Sequence, residues 1–317
     1  LYTRTVKRGK DEVGIYFALR TVEVREIGGV NRVCLNGKPV FLHGVLDQGY
    51  FEDGIFTPHD ISEYEKDVRR MKELGINLIR KHIKIEPEEF YYACDRLGML
   101  VMQDMVNNGD YSFFRDTVLG TLNLPLSDKK KKTNRRMDFF IAHSVETVKT
   151  LYNHPSIIAY TIFNEGWGQF NSDMMYDRLK ALDPTRLYDS TSGWFAQRKS
   201  DFDSEHIYFR LKKLKPKTRP LFVTECGGYS YNLNGQNKVY GYGKCASSEE
   251  LTARIEKLYR KMIIPAIPEG CCGCVYTQLS DIEDEINGLY SYDRNTCKVS
   301  KERMRTIADA LNNSLEA

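Results

Sequence analysis

The sequence lacks a charge excess of either sign, a long apolar run and an abundance of residues that disrupt regular structure. Its 46 Lys and Arg face 43 Asp and Glu, a formal charge of +3, so composition gives no electrostatic case for nucleic acid or an anionic membrane as a partner. The longest apolar stretches, such as residues 157–160 and 262–267, are far too short to span a bilayer, and we expect no membrane segment. With 23 Gly and 10 Pro in 317 residues, the chain is not of the disordered or low-complexity type.

The composition that is present belongs to an ordinary globular protein. Hydrophobic residues make up 41% of the chain and charged residues 28%. The length of 317 residues suits one large domain or two small ones, and α/β barrels routinely use more than about 200 residues as a single domain.

The eight cysteines are scattered, and a chain of this size does not need disulfide bonds for stability. They are Cys34, Cys94, Cys226, Cys245, Cys271, Cys272, Cys274 and Cys297. The group at 271–274 leaves a metal site as an alternative, but it has no second ligand pair at zinc-finger spacing, so we interpret it as part of a buried strand. We therefore expect no metal and no cofactor.

Free thiols and the absence of a visible signal peptide favour a reducing compartment, so we expect a cytoplasmic protein. The first residue is Leu1, and we expect the chain to be a fragment of a longer one. A homo-oligomer of that longer protein stays open at this point.

The first 30 residues carry a strand pattern without helices. Residues 14–20 and then Val22, Val24 and Ile27 alternate with polar residues at period two, which is typical of half-buried strands. We predict that residues 1–30 are the C-terminal strands of a truncated β-sandwich domain and that residues 31–317 form a different domain.

From residue 39 onwards, apolar strands alternate with amphipathic helices. The eight candidate strands are residues 39–45, 76–80, 99–104, 157–163, 187–190, 206–208, 221–224 and 273–279. Such alternation is typical of parallel strands with crossover helices, and eight units in about 250 residues predict a closed (β/α)8 or TIM barrel. An open doubly wound sheet is the alternative, although no phosphate-binding glycine motif follows the first strand.

Three connecting segments carry local predictions. The first helix is expected to begin with Thr57 as its cap and Pro58 in its first turn. The run of four lysines at 129–132 is interpreted as a solvated loop, with an anion-binding patch as the alternative. Only 60 residues separate Glu165 from Glu225, so helices five and six of the barrel should be short or irregular.

Polar side chains end the apolar runs, at the edge of a barrel where active sites lie. They are His43, Asp47, Arg80, His82, Asp104, Asn164, Glu165, Ser192, His206, Tyr208, Glu225, Gln278 and Asp281. A carboxylate that directly follows an apolar run is costly unless it faces a polar cleft. A helix cap or an ion pair explains one such Glu, but Glu165 and Glu225 on two strands favour a shared site.

Two carboxyl groups across a cleft suit glycoside hydrolysis. One protonates the leaving oxygen, and the other attacks the anomeric carbon or activates water. Aromatic residues near the strand ends, among them Trp167, Trp194 and Tyr208, offer flat faces for sugars. Each of them taken singly is explained equally well by packing.

Seven segments, in order, resemble the catalytic barrel of glycoside hydrolase family 2, the family of β-galactosidases, β-glucuronidases and β-mannosidases. Residues 1–2 and 14–27 look like the end of the family's immunoglobulin-like sandwich domain. The other six segments look like barrel strands one, two and three, the acid/base motif, the nucleophile motif and strand eight, at residues 35–44, 67–82, 94–101, 153–165, 224–228 and 276–294.

The resemblance implies roles for the residues that match the motifs. Glu165 would be the general acid/base and Glu225 the nucleophile. Asn164 would hold the sugar 2-hydroxyl, Arg80 would keep Glu225 ionised, and Tyr208 would donate a hydrogen bond to the nucleophile.

Five further residues are implied as parts of the carbohydrate site. His206 would line the same wall as Tyr208. Substrate hydroxyls or the sugar face would contact Asp47, His82, Trp194 and Gln278.

The sequence also departs from the family pattern. Tyr160 and Thr161 stand where the acid/base motif usually has Trp and a small residue, and Tyr276 replaces a Trp of strand eight. Residues 46–50 replace a histidine-rich loop of the galactosidases, and no Asn-x-Lys motif, used by glucuronidases on the uronate carboxylate, follows strand eight. The chemistry is therefore better supported than the identity of the sugar.

The sequence thus predicts a retaining exo-β-glycosidase that hydrolyses a terminal β-galactoside through a covalent glycosyl-enzyme intermediate. Specificity for a β-glucuronide or β-mannoside is the alternative, and a catalytically inactive carbohydrate-binding relative is a second hypothesis. A third hypothesis, a small-molecule enzyme such as an aldolase, needs a strand-end Lys for a Schiff base. Lys81 and Lys84 follow strand two, but the pattern places neither in a buried pocket.

Overall fold

The computed structural model describes residues 1–109, 111–119, 128, 134–233, 235 and 239–316. The lysine run at 129–132, interpreted above as a solvated loop, lies outside the described residues.

Two small antiparallel sheets precede the barrel. Their strands are β1 (Tyr2–Arg8) with β2 (Asp11–Phe17), and β3 (Val22–Ile27) with β4 (Val30–Leu35) and β5 (Lys38–Pro39). The period-two pattern correctly predicts strands here, and they pair antiparallel. The expected half-burial is wrong for β2, which is exposed at every residue except Tyr16. The division of the chain after residue 30 stays a prediction, and residues 30 and 31 are the first two residues of β4.

Eight parallel strands form one nearly closed sheet, which confirms the predicted TIM barrel. They are β6 (Leu42–Asp47), β7 (Leu78–Lys81), β8 (Leu100–Asp104), β9 (Ile157–Asn164), β10 (Leu187–Ser192), β11 (Asp203–Ile207), β12 (Leu221–Gly227) and β15 (Cys271–Thr277). The short strands β13 (Ser230–Tyr231) and β14 (Lys244–Cys245) pair with each other outside this sheet.

The order of the strands shows how the barrel closes. Along the sheet it is β10-β9-β8-β7-β6-β15-β12-β11, so the first and last barrel strands of the chain, β6 and β15, are neighbours. Across the remaining seam, between β10 and β11, the Ser204 hydroxyl donates to the Thr191 carbonyl at 3.2 Å. A side-chain bond therefore bridges the seam where ladder pairing is absent.

The described part of the chain forms six α-helices around the strands. They are α1 (Ser62–Glu73), α2 (Glu88–Leu97), α3 (Arg135–Thr150), α4 (Ser172–Leu182), α5 (Ser248–Leu258) and α6 (Lys301–Glu316). A π-helical segment spans Phe113–Leu119, and α5 continues through Tyr259–Ile263 and Ile264–Ala266 in π and 3-10 form. The described connections at 193–202 and 208–220 contain no helix, as the short spacing predicts. Within the described part of the chain, no helix has the length and apolar character needed to cross a bilayer.

Helix α1 begins five residues after the predicted cap. The carboxylate of Asp60 accepts hydrogen bonds from the Ser62 backbone nitrogen at 2.9 Å and the Ser62 hydroxyl at 2.7 Å. Thr57 and Pro58 belong instead to the preceding turn, where the Lys84 ammonium holds the Phe56 carbonyl. The prediction of a Thr57 cap was therefore wrong, because side chains far along the chain fix the turn.

The lower interior of the barrel is apolar and the layer above it is polar. Residues two apart on a strand point to the same side of the sheet. The inward-facing residues of a strand change from apolar to polar towards its C-terminal end. The buried pairs that show this change are Leu78 and Arg80 on β7, Met102 and Asp104 on β8, and Phe222 and Thr224 on β12. An apolar floor thus supports a ring of buried polar groups at the C-terminal ends of the strands.

All eight cysteines are free and seven are buried. Cys271, Cys272 and Cys274 lie inside β15, where they fill the interior as small apolar side chains.

Candidate active site

Glu165 and Glu225 face each other at the C-terminal mouth of the barrel. Glu165 directly follows β9, and Glu225 lies on β12. A carboxylate oxygen of each residue and a ring nitrogen of His206 all lie within 4.8 Å of one another. The Glu225 side chain is 6% exposed and that of Glu165 is 17% exposed. The structure therefore brings the two sequence-predicted carboxyl groups together in a partly enclosed cleft.

Glu165 adopts an unusual backbone conformation. Its φ is +51°, in the left-handed region that residues with a Cβ rarely occupy, and its amide donates to the Ser192 carbonyl at 3.0 Å. The next residue, Gly166, has φ +75°, and a Cβ there would lie 2.3 Å from the Phe195 ring. Such local strain is characteristic of functional sites, and here it lies at the residue predicted to transfer protons.

Arg80 is fully buried and all three of its guanidinium nitrogens donate hydrogen bonds. Nη1 donates to Glu225 Oε1 at 3.1 Å and to the Thr224 carbonyl at 3.0 Å. Nε and Nη2 hold both oxygens of Asp104 at 3.0 Å, a bidentate geometry that suits a planar guanidinium. Nη2 also donates to Asn164 Oδ1 at 2.8 Å, so the Asn164 Nδ2 hydrogens, which have no acceptor among the described side chains, can face a ligand.

Tyr208 binds the second oxygen of Glu225. Its hydroxyl donates to Glu225 Oε2 at 2.6 Å and also lies 3.1 Å from Glu165 Oε1. Burial, followed by the charges of both carboxylates, raises the pKa of Tyr208 well above its usual value, so it stays a hydrogen-bond donor. Tyr242 stacks against this ring with centroids 4.0 Å apart, which fixes the orientation of the phenol.

The surroundings of Glu225 favour its ionised form. Burial by itself raises the pKa of this carboxyl group, but nearby His206, the Arg80 guanidinium and the Tyr208 hydrogen bond together lower it below its ordinary value. Glu225 is therefore ionised at neutral pH, which is the state that a nucleophile requires.

His206 links Glu165 to a chain of hydroxyl groups. Its Nδ1 lies 2.8 Å from Glu165 Oε1, and its Nε2 lies 3.1 Å from the Ser192 hydroxyl. Because Ser192 donates its own hydrogen to Thr224 Oγ1 at 2.8 Å, it accepts the hydrogen of His206 Nε2. With a hydrogen on Nε2, His206 Nδ1 is the ring nitrogen that faces Glu165 Oε1.

The structure places the remaining predicted residues around the same mouth. His82 Nδ1 lies 2.9 Å from Asp104 Oδ2, and the half-buried Trp194 ring lies 6.3 Å from that of His206. Gln278 follows β15 and is buried among other amide groups. The roles of these residues in binding substrate stay predictions.

Asp47 has internal partners for both of its carboxylate oxygens. Oδ2 accepts from Lys81 Nζ at 2.7 Å and Oδ1 from the Gly49 amide at 2.8 Å, and Asp47 is 6% exposed. Its predicted contact with substrate also stays a prediction, and any such contact would add to two hydrogen bonds already present.

The expectation that Lys81 and Lys84 lie outside buried pockets was wrong. Lys81 is fully buried, and Lys84 is 4% exposed. Burial opposes the charge of Lys81, but Asp47 and Glu86 outweigh it and raise the pKa of Lys81. Lys84 donates to the Gly49 carbonyl at 2.5 Å and pairs with Glu86 at 2.9 Å. Both ammonium groups are held by internal partners, so the geometry does not favour the Schiff-base hypothesis.

Sequence reasoning missed Tyr242, which lies in a loop outside the seven segments, and it gave Asn287 no role although that residue lies inside the strand-eight segment 276–294. The signal that was present is Gly228, the last residue of the nucleophile motif. A Cβ on Gly228 would lie 2.4 Å from the Tyr242 ring and 3.5 Å from Asn287 Nδ2. A glycine at this point, with φ +69°, lets both side chains approach the strand end closely.

The spacing of Glu165, His206 and Glu225 is also one that a metal ion could use. A divalent cation bound to Glu225 would meet the Arg80 guanidinium, whose Nη1 is 3.1 Å from that carboxylate. Glu225 is further satisfied by Tyr208. The donor set therefore fits a carboxyl pair for proton and nucleophile chemistry better than a metal centre.

The fold and the site together define a class of protein: a TIM barrel with two close carboxyl groups at the C-terminal ends of its strands. The family model for the TIM barrel domain of glycosyl hydrolases family 2 matches residues 22–227. The chain belongs to this family.

Curated relatives are similar over part of the chain. A β-galactosidase of Aeromonas hydrophila is 32% identical over 171 residues, which cover 53% of this chain and 15% of the relative. A β-galactosidase of Leuconostoc mesenteroides is 25% identical over 255 residues, or 75% and 22% of the two chains. A β-glucuronidase of Streptococcus agalactiae is 29% identical over 154 residues, or 47% and 24%. The chain thus spans less than a quarter of each of these relatives.

Solved structures share the fold. The β-glucuronidase of Ruminococcus gnavus superposes with a TM-score of 0.70 at 16% identity, over 98% of this chain and 57% of that one. A β-galacturonidase of Eisenbergiella tayi bound to galacturonate has a TM-score of 0.66 at 17% identity, over 96% and 56%. At such identities the likeness shows the barrel architecture alone.

Proposed function

We propose that the chain is the catalytic part of a retaining exo-β-glycosidase that hydrolyses a terminal β-galactoside. The observation that carries the proposal is the pair Glu165 and Glu225, whose carboxylate oxygens come within 4.8 Å of each other. Retaining glycosidases hold their two carboxyl groups about 5–5.5 Å apart, whereas inverting enzymes leave about 6.5–9.5 Å for a water molecule. The short separation supports direct attack by one carboxylate.

In the first step Glu225 attacks the anomeric carbon. Arg80 and Tyr208 each hold one of its oxygens, which keeps the carboxylate ionised and fixes its direction. Glu165 gives its proton to the glycosidic oxygen as the bond to the aglycone breaks, and a glycosyl ester of Glu225 forms. His206 Nδ1, at 2.8 Å, orients Glu165 for that transfer.

In the second step water replaces Glu225 on the sugar. Glu165, now ionised, takes a proton from the water molecule, which attacks the anomeric carbon and releases Glu225. Asn164 supports both steps, because Arg80 holds its oxygen and so turns its Nδ2 hydrogens to the sugar 2-hydroxyl.

The choice of a galactoside has weaker support than the chemistry. Relatives carry the names of both β-galactosidases and β-glucuronidases. The absence of an Asn-x-Lys motif after β15 favours a neutral sugar over a uronate. An inactive carbohydrate-binding relative is disfavoured, because both carboxyl groups and the Arg80 contacts are in place.

Turnover of aryl β-D-glycosides tests the proposal. The 317-residue chain should hydrolyse the galactoside faster than the glucuronide, mannoside and glucoside, and proton NMR should show the β-anomer of the sugar as first product. Glu225→Gln is the matched control and should be inactive. A first product of α configuration would show inversion, and hydrolysis of none of the four glycosides would end the proposal.

A further inference from the structure

A second polar cluster lies at the mouth of the barrel between β6 and β15, outside the catalytic pair. It consists of Gln48, Gln278, Glu285 and Asn287. Gln48 Nε2 donates to Gln278 Oε1 and to Glu285 Oε2, both at 3.0 Å. Asn287 Nδ2 donates to Glu285 Oε1 at 3.1 Å, and Gln278 Nε2 donates to Asn287 Oδ1 at 2.9 Å. Asn287 is fully buried and Gln278 is 1% exposed, so this amide cluster is built into the fold.

The cluster adjoins the catalytic groups. Gln48 follows the end of β6 and Gln278 follows the end of β15, which are the C-terminal ends of neighbouring strands. Asn287 and Tyr242 both approach Gly228, just beyond the nucleophile strand. The loop around Tyr242 is tied to the cluster by the backbone, since the Tyr240 amide donates to Asp284 at 2.7 Å and the Ile286 amide donates to Tyr240.

The carboxylate of Glu285 has no cationic partner among the described residues. The groups that donate to its two oxygens are the neutral side-chain amides of Gln48 and Asn287. Two lysines near β6 and β15 form ion pairs with other carboxylates. Lys81 pairs with Asp47 and Lys298 pairs with Asp281, both at 2.7 Å. A ligand at this wall therefore meets a negative charge with no nearby free cation in the described part of the chain.

The directions of the hydrogen bonds within the cluster leave acceptor atoms of Gln48 and Glu285 for a ligand. Both hydrogens of Gln48 Nε2 are spent inside the cluster, which leaves Gln48 Oε1 without a donor among the described residues. Glu285 accepts one hydrogen bond on each oxygen and can accept more. Such a surface matches sugar hydroxyl groups, which donate, and rejects a uronate carboxylate, which at neutral pH can only accept.

We propose that Glu285, held by Gln48 and Asn287, is a specificity-determining residue that selects a neutral glycone and excludes a uronate. The proposal rests on the proposed glycosidase function and names the substrate class of the same site. The carboxylate acts twice, by accepting hydrogen bonds from a neutral sugar and by repelling the acid group of the competitor.

Two matched ligand pairs test Glu285. The first pair is an aryl β-D-galactoside and the corresponding β-D-galacturonide, compared by kcat/KM. The second pair is D-galactose and D-galacturonate, which differ only at C6, compared by calorimetric Kd. Wild-type chain should prefer the neutral member of both pairs. Glu285→Gln, which keeps the shape but not the charge, should reduce that preference about tenfold or more.

Asp284→Asn is the control, because it removes an exposed carboxylate from the adjacent position. It should leave the preference unchanged within about twofold. Glu285→Ser provides the same test through a different side chain if the Gln variant does not fold, as judged by circular dichroism.

The two proposals fail in different ways. An unchanged preference in both Glu285 variants, or a wild-type preference for the acid, would overturn the role of Glu285. If the chain hydrolyses no aryl β-glycoside, the glycosidase function fails, while the galactose and galacturonate affinities still decide whether Glu285 discriminates between them. Loss of the preference for galactose in the Glu285 variants would then support the binding role by itself.

Discussion

Arg80 Nη1 donates a hydrogen bond to Glu225 Oε1 at 3.1 Å, in surroundings where the arginine is fully buried and the glutamate is 6% exposed. The same guanidinium also holds Asp104 and Asn164. Arg80 therefore keeps the proposed nucleophile ionised and also positions Asn164, the residue proposed to bind the sugar 2-hydroxyl.

Arg80→Lys should lower kcat by about 10²- to 10³-fold, because an ammonium keeps the charge but cannot reach three partners in one plane. The variant should remain folded and lose about 2–4 kcal/mol of stability, since Asp104 or Asn164 loses a buried donor. Steady-state kinetics and chemical denaturation measure the two effects. Wild-type turnover in this variant would show that Arg80 has a structural role only.

Azide should distinguish the two glutamates. Glu165→Ala should still react with a dinitrophenyl galactoside, whose leaving group needs no proton, and then stall as the glycosyl ester. Azide should rescue it and give the β-galactosyl azide. Glu225→Ala has no attacking group, so azide should displace the leaving group once and give the α-azide. NMR of the products decides, and exchanged products would reverse the roles assigned to the pair.

The acid limb of the pH profile should report Glu225. Its ordinary pKa is 4.5, and its surroundings lower this value, so kcat/KM should fall only as the pH drops below about 4.5 and the nucleophile becomes protonated. Tyr208→Phe removes a donor to the carboxylate and should move that limb to higher pH. Tyr242→Phe keeps the stacked ring and should leave it in place. An acid limb that does not move in Tyr208→Phe would contradict this assignment.

His206 should matter most where the leaving group needs a proton. His206→Gln should reduce kcat/KM for an unactivated alkyl galactoside by about 10²-fold and for the dinitrophenyl galactoside much less, because Glu165 loses its partner at Nδ1. Ser192→Ala removes the group that fixes the hydrogen on Nε2 and should show a smaller effect of the same kind. Equal losses on both substrates would instead indicate a general packing defect.

Asp189 should make stability depend on pH. It is 1% exposed, its Oδ2 has no hydrogen-bond partner among the described residues, and burial raises its pKa from 3.8 to about 6 although Arg80 opposes the shift. A raised folded-state pKa contributes stability that is complete below about pH 4 and is lost as the pH rises through about 6, up to about 3 kcal/mol. Asp189→Asn cannot ionise, so its stability relative to wild type should improve between pH 5 and pH 8. Denaturation curves at both values test this, and parallel curves would contradict it.

The sequence predicted the barrel well because its signals are local. Each of the eight strands overlaps a predicted one, but β11 shares only His206 and Ile207 with the predicted strand 206–208, because its first residues are polar. The missing helices around β11 follow from the short spacing between Glu165 and Glu225. The two carboxyl groups were identifiable because a charge directly after an apolar strand requires a polar cleft.

Other features depended on contacts that no local pattern contains. The burial of Lys81 follows from Asp47, 34 positions away, and from Glu86, so a charged residue at a strand end gave no sign of being inside. Helix α1 begins late because Lys84 holds the turn before it. Tyr242 reaches the site through a loop, and only Gly228 marked its approach.

The side chains that Arg80 binds lie at increasing distances along the sequence, and this affects the order in which the contacts can form. Asp104 is 24 positions away, Asn164 is 84 and Glu225 is 145. During synthesis the guanidinium can therefore be neutralised early by its nearest acid, whereas the contact to the proposed nucleophile closes a much longer loop. The contacts needed for turnover are therefore completed only after most of the barrel has been made.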